Sequence, residues 1–356
     1  MKTRKLVIGR VIFVLVSLFC AGLVTAPTVL ALDWKQIEAA ANREGMLTVY
    51  SPTRAKDAEE LAKAFNREYP KIKVEWVLGR GLLERVKTEI AARRIVCDAF
   101  QGGTSSTVPA VDMGICEMFV PPALSAPGVK WNLPMNKILV KNGLAVWRQV
   151  SVVSAMWNTK VVPENIRPRS LQDLTAPRYK GLIAFDNPKS RGTGIMLIHA
   201  AREIAPDKLG EQWIREFMKN AVISSFRKIR AQITTGEYGI GLPMSTGSAA
   251  AAARKGAPVK FLTFSEGLIL SPTATWIVKG CPHPNAAKVF ANWVMTKNGQ
   301  QAAARLGGGA PLMAGVVPPD PNLNIEGKPI LYSLTYESTK AQQKTMKWAA
   351  TSGIFD

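Results

Sequence analysis

The sequence predicts an α/β protein with mostly parallel sheets, and three observations support this class. Short apolar runs alternate with segments of helical periodicity, as at 46–51, 61–69 and 72–78. Turns rich in glycine or proline separate them every 20 to 30 residues or so, which is roughly the spacing of βαβ units. A second set of such units follows at about 181–256. The 356 residues are enough for two domains of ordinary size.

The first 31 residues predict a secretory signal peptide. Basic residues precede an apolar run from Val11 to about Val24, and small residues for cleavage follow at Val29–Ala31. An uncleaved membrane anchor is the alternative, because the run is close to the minimum length of a membrane span. We expect export and cleavage near Ala31.

The chain is strongly basic. Removal of residues 1–31 takes away four basic residues and lowers the formal charge from +20 to +16. Such a charge is typical of proteins that bind nucleic acid, an anionic ligand or an anionic membrane surface. Export argues against nucleic acid, and so does the scatter of Lys and Arg along the chain without a dense block. We therefore expect an anionic solute, with adhesion to a membrane face as the alternative.

Three cysteines remain after cleavage: Cys97, Cys116 and Cys281. An oxidising compartment allows one disulfide, and Cys97 and Cys116 are the closest pair in sequence. Spacing does not establish the pairing, so buried free thiols stay open as the alternative.

Residues 186–194 form the most informative polar turn. They follow an apolar segment and precede the run Ile195–Ile198, so we expect a helix to begin near Thr193. A helix start offers N–H groups without partners and a partial positive charge, which together favour a bound anion. Ser190 and Thr193 would add hydroxyls, and Arg191 a forked cation. An ordinary capped turn is the alternative.

Other polar turns follow predicted strands at 51–54, 79–81, 102–106 and 243–248. In open α/β sheets, ligands bind outside the carboxyl ends of the strands. We therefore expect these turns and the turn at 186–194 to enclose one small polar ligand.

Catalytic and metal-binding motifs are absent from the sequence: there is no GxSxG, HExxH, CxxC or P-loop. The two histidines are far apart, and we expect His199 to lie in the core and His283 to be a poor metal ligand. The sequence therefore predicts no enzyme, no resident cofactor and no metal site. An enzyme on the same architecture is the alternative from another class.

Several short segments occur in a characteristic order, although none is specific by itself. They are Leu47–Ser51, Asp98–Gly103, Trp157–Lys160, Leu171–Leu174, Tyr179–Gly181, Asp186–Gly194, Thr235–Tyr238 and Pro282–Lys288. The ordered set, from about 45 to 306, resembles the periplasmic solute-binding proteins of ABC importers, in particular the ferric-ion-binding branch.

The resemblance implies a bilobal periplasmic-binding-protein fold (type II, Venus flytrap) with two crossover strands. Lobe 1 would comprise 32–150 plus 268–310 and lobe 2 would comprise 151–267, with a C-terminal tail at 311–356 that packs on the lobes. It also implies a periplasmic monomer that delivers a captured solute to a membrane permease and its ATPase.

The sequence departs from the ferric branch at the metal ligands. Ferric binders of this kind carry a Tyr-Tyr pair, and the corresponding position here falls on Thr246 and Gly247. Neither residue supplies a phenolate, and Fe(III) requires several anionic oxygens. We therefore expect a phosphonate, an organophosphate or a carboxylate, with ferric iron or a ferric chelate as the alternative.

The expected ligand-binding residues lie at the strand-end turns and at one position where related proteins place an aromatic residue near the cleft, Trp157. For Arg80 and Arg191 the alternative is a surface position; for Trp157 it is core packing, and for Asn158 a role in shaping the turn. The predicted set is Ser51, Thr53, Arg80, Gly103, Thr104, Trp157, Asn158, Ser190, Arg191, Gly192, Thr193, Ser245, Thr246 and Gly247.

Overall fold

The computed structural model describes residues 33–190 and 192–356. The predicted signal peptide and Arg191 lie outside the described residues. None of the described helices combines the length and the apolar character that crossing a bilayer requires.

Strands and helices alternate along most of the described chain. The strands are β1 Met46–Ser51, β2 Lys73–Leu78, β3 Ala99–Gly103, β4 Cys116–Glu117, β5 Leu139–Val140, β6 Ala145–Asn158, β7 Ile183–Asp186, β8 Ala221–Ser224, β9 Ile240–Ser245, β10 Val259–Leu262, β11 Leu268–Val278, β12 Ala310–Pro311 and β13 Ile330–Ser333. The α-helices are α1 Trp34–Glu44, α2 Ala55–Asn66, α3 Leu82–Ala91, α4 Thr104–Asp112, α5 Gly194–His199, α6 Gly210–Met218, α7 Phe226–Thr235, α8 Thr246–Ala253, α9 Pro284–Trp293, α10 Lys297–Arg305 and α11 Tyr336–Thr351.

One continuous sheet has the strand order β2-β1-β3-β11-β6-β9-β7-β8. The strands at either end pair in parallel, β1 with β2 and β3, and β7 with β8 and β9. The central pairings are antiparallel. The predicted α/β class is confirmed, with two parallel groups joined through an antiparallel centre.

The two long central strands, β6 and β11, run through both halves of the sheet. β11 pairs with β3 in the first half and with β6 over Ile269–Thr275, and the end of β6 pairs with β9 and β10 in the second half. The hydrophobic core divides within β6, because Val152 packs in the first core and Val153 in the second. The two crossover strands expected from the resemblance are therefore present, while the exact lobe limits stay a prediction.

The first core is held by an aromatic cluster between helices. The ring of Phe65 on α2 lies 5.5 Å from Phe290 and 5.3 Å from Trp293 on α9, both in edge-to-face geometry. Such pairs stabilise a core beyond the area that they bury. The cluster fixes α2 and α9 on one face of the first parallel group.

Two helices were not expected from the sequence. Helix α4 contains Pro109, which has no N–H for helical hydrogen bonding, so the local pattern does not predict a helix there. Helix α11 has sixteen residues and lies in the segment that was expected only as a C-terminal tail at 311–356. It contacts α4 of the first half and α5 of the second, and the Lys340 Nζ donates to Asp112 of α4 at 2.8 Å.

The three cysteines are free and buried. β3 and β4 both pair with Ile277 of β11, so they must lie on opposite edges of that strand. Cys97 precedes β3 and Cys116 begins β4, so β11 separates their backbones. The structure therefore favours the free-thiol alternative over a Cys97–Cys116 disulfide.

We expect these thiols to be unreactive in the folded protein. Burial raises the pKa of Cys116 and of Cys281 to about 12, and the thiolate is the reactive form. A chain that lacks residues 1–31 should react slowly with Ellman's reagent when folded, and should yield three thiols after unfolding in guanidinium chloride without reductant. A yield of one thiol would show that a disulfide forms.

Candidate functional site

A cavity of about 650 Å³ lies between the two halves of the sheet. Its walls are α4 from the first half, the turn between β7 and α5 from the second, and α11 across one side. This volume is within the range of sites for small molecules. The polar lining includes the carboxylates of Asp112 and Asp186. It also includes Thr104, Ser105, Thr193, Ser271 and Gln342, and the apolar lining includes Met113, Ile195, Met196, Phe226 and Met346.

The carboxylate of Asp186, at the end of β7, organises the wall of the second half. Its Oδ2 accepts from the Thr193 amide at 3.1 Å, the Thr193 hydroxyl at 2.9 Å and the Gly194 amide at 3.0 Å. Its Oδ1 accepts from the Phe226 amide at 3.0 Å. Asp186 therefore caps the starts of both α5 and α7, and only 7% of it is exposed.

Gly194 is required by this close approach. A Cβ at that position would lie 2.0 Å from the Asp186 carbonyl oxygen, which is inside any allowed contact. The glycine at the start of α5 therefore allows close contact with the end of β7 in the same chain.

The prediction that these amides remain available to an external anion is therefore wrong for Thr193 and Gly194. A carboxylate from the same chain already occupies the position that the helix start offers, and α5 has only six residues. Gly192 and Thr193 still line the cavity. Ser190 is exposed beside them, whereas Arg191 lies outside the described residues.

The other predicted turns lie at strand ends, as expected. The Thr53 amide donates to the Ser51 hydroxyl at 3.2 Å after β1, and Arg80 is exposed after β2. Gly103 ends β3, and Thr104, the first residue of α4, lines the cavity.

The turn after β9 is also at a strand end. Ser245 accepts from the Ser248 amide as the N-cap of α8, Thr246 is buried and Gly247 is exposed. Neither this turn nor those at Ser51 and Arg80 lines the 650 Å³ cavity, so their contact with a ligand stays a prediction.

Trp157 and Asn158 occupy interior positions. The indole N–H of Trp157 donates to the Val162 carbonyl at 3.1 Å, and the ring packs in the second core. The side-chain Nδ2 of Asn158 donates to the Ile233 carbonyl at 2.8 Å, and its side-chain Oδ1 accepts from the Lys160 backbone amide at 2.9 Å. These contacts match the core and turn alternatives, and neither residue lines the cavity.

The sequence interpretation missed the contribution of α11. Thr339, Gln342, Gln343 and Met346 line the cavity at the spacing i, i+3, i+4 and i+7, which is one face of a helix. That spacing is readable in the sequence, but nothing local indicates that the face is turned to a cavity.

The two histidines have structural partners. The Nδ1 of His199 lies 2.7 Å from the Thr345 hydroxyl, and burial lowers its pKa. The Nδ1 of His283 lies 2.9 Å from the Asp98 carboxylate. Within 33–190 and 192–356, no group of three or more His, Cys, Asp or Glu side chains is arranged to hold a metal ion.

Comparison with known sequences gives one family. The profile of the bacterial extracellular solute-binding proteins matches residues 126–331. An uncharacterized protein of Haemophilus influenzae is 23% identical over 282 residues, which cover 76% of this chain and 79% of that protein.

Solved structures share the fold at low identity. The Bordetella ferric binding protein has a TM-score of 0.70 at 18% identity and covers 87% of this chain and 100% of its own. The periplasmic binding protein AfuA from Actinobacillus pleuropneumoniae, with fructose-6-phosphate bound, has a TM-score of 0.61 at 20% identity. It covers 86% of this chain and 98% of its own.

Asp186 should contribute strongly to stability. We expect Asp186→Ala to lower the free energy of unfolding by about 2–4 kcal/mol, because one buried and two part-buried backbone amides lose a charged acceptor. Asp207→Ala, at an exposed position outside the cavity, is the matched control and should change it by less than about 0.5 kcal/mol. Urea denaturation measures both, and equal effects would contradict the capping role.

Proposed function

Because the chain belongs to the bacterial extracellular solute-binding protein family, we propose that it is the periplasmic receptor of an ABC importer. In this proposal it binds a small anionic solute between its two halves and delivers it, as a monomer, to a membrane permease and its ATPase. No chemical step is required of the protein.

The observation that carries the proposal is the cavity walled by both halves. Thr104 comes from the first half, Thr193 from the second, and Ser271 from the crossover strand that joins them. A solute held by all three makes more contacts when the halves are close together. Binding would therefore shift the population toward a closed form, which is the form an importer can distinguish.

The lining suits a solute with an apolar part rather than a bare ion. Its two carboxylates already have donors within the chain, because Asp112 accepts from Lys340 and Asp186 accepts from backbone amides. Met113, Met196 and Phe226 offer apolar contact, while the hydroxyls of Thr104 and Ser105 offer hydrogen bonds. The charge of +16 expected for the exported chain would attract an anion to the cleft. The candidates are organophosphates, phosphonates and carboxylates with an apolar part.

A thermal-shift screen of the chain without residues 1–31 tests this function. A solute that binds only the folded state stabilises it by about 2.7 kcal/mol at a hundredfold excess over Kd. Organophosphates, phosphonates and carboxylates should raise Tm, and Fe(III) should not. A visible absorption band on addition of Fe(III) would instead favour a ferric binder, and product formation from the bound solute would favour an enzyme.

A blocking variant locates the binding. Ser105→Trp should fill the cavity from an exposed position and abolish the Tm shift, whereas Ser265→Trp, an exposed serine outside the cavity, should retain it. A shift that survives Ser105→Trp would place the solute elsewhere.

A further inference from the structure

Arg148, on the crossover strand β6, is a buried cation without a counter-ion. Only 7% of the residue is exposed. Its Nη1 donates to the Gln149 side-chain oxygen at 2.7 Å, and its Nε has no hydrogen-bond partner. No carboxylate in the described part of the chain pairs with it, and burial lowers its pKa to about 10. The group is therefore charged at neutral pH, and a buried unpaired charge is costly.

A β-bulge turns Arg148 out of the regular ladder. Gln149 pairs with Thr273 of β11 and Trp147 with the next residue, Ala274, so Arg148 is the extra residue between two pairs. The hydrogen bond between the Arg148 and Gln149 side chains shows that both point to one side. Bulges are frequent beside functional sites, where they redirect a side chain.

Arg148 is not among the residues that line the 650 Å³ cavity, but the pairing register places it close to that cavity. Ser271 lines the cavity, and Thr273 lies two residues further along β11, on the same face. Thr273 pairs with Gln149 on one side and with Gly103 on the other. Because β11 lies between β6 and β3, the backbone at Arg148 is about two strand spacings, or about 10 Å, from the turn that begins at Gly103.

The surface beside this row is open. A Cβ on Gly103 would meet only one atom within 4 Å, the Pro272 carbonyl oxygen at 3.9 Å. On the side of β6, the exposed residue Gly308 and the buried residue Gly309 lie near the Gln149 side chain, and neither has a side chain of its own. The approach to the guanidinium on these two sides is therefore bordered by glycine backbone and not by side chains.

We propose that Arg148 binds the anionic group of the solute and is the residue that selects for an oxyanion. The inference rests on the proposed function and deepens it. It places charge recognition on the crossover strand, not at the start of α5, where Asp186 already takes the amides. A phosphate, phosphonate or carboxylate oxygen would supply the counter-ion and accept from Nε.

Two substitutions test Arg148 in the chain without residues 1–31. Arg148→Met removes the charge and keeps an apolar chain of similar length, while Arg148→Lys keeps the charge without the fork. The probes are inorganic phosphate, phenylphosphonate and benzoate in chloride buffer, with Kd measured by calorimetry and Tm by scanning fluorimetry.

The expected results separate a binding role from a structural one. Arg148→Met should raise the Kd of the tightest-binding probe about 100-fold, and Arg148→Lys should raise it about tenfold. Without probe, Arg148→Met should melt at the same temperature as the wild type or higher, because apolar replacement of a buried ion is often neutral or stabilising. If Arg148 were needed only for the fold, its substitution would instead lower Tm and leave Kd unchanged.

Other outcomes overturn the proposal. Three results would each reject Arg148 as the oxyanion receptor. They are a Kd within twofold of wild type in Arg148→Met, a failure of Arg148→Met to fold, and no binding of any probe to the wild type. If Ser105→Trp abolishes binding while Arg148→Met retains it, the proposed function stands and this inference fails. If both variants retain it, the cavity itself is the wrong site.

Discussion

The antiparallel pairing of β6 with β11 is the constraint on which the remaining structure depends. Along the strand order from β2 to β8, the two parallel groups of the sheet are joined through β11 and β6. The pairing spans Ile269–Thr275 of β11, and the division between the two cores falls inside it. Any relative motion of the halves must therefore be absorbed by twist or bending in this short ladder.

The same ladder carries the groups that we assign to binding. Ser271 opens toward the cavity, Thr273 follows on the same face, and the bulge at Arg148 lies across from it. A ligand that touches these residues would contact the strands that bend, as well as the walls that approach each other. Binding and closure would thus be coupled because the ligand contacts the bending strands directly.

Asp186 shows why a helix start does not by itself predict a ligand. The amides of Thr193, Gly194 and Phe226 need acceptors whether or not a solute is present, and a buried carboxylate satisfies them permanently. An unpaired guanidinium presents the opposite case, since the described chain offers it no anion. The cost of burying Arg148 is offset only when a ligand brings one.

Local pattern was enough to predict the α/β class and the alternation of strands and helices, although α4 and α11 were not expected. Apolar periods of two and of 3.6 residues identified β1, α2 and β2. The resemblance to solute-binding proteins also rests on short local segments, many of them at turns and strand ends, where the backbone restricts the residue types.

The contacts that define the candidate site were decided by tertiary structure. Asp186 meets Phe226 across forty residues, α11 reaches a cavity formed by α4 and α5, and Arg148 is buried by elements far along the chain. The sequence by itself determined the α/β class and regular segments such as β1, α2 and β2, because those preferences act over a few neighbouring residues. Only the folded chain decided which polar groups are already paired and which remain for a ligand, because partners distant in sequence settle that question.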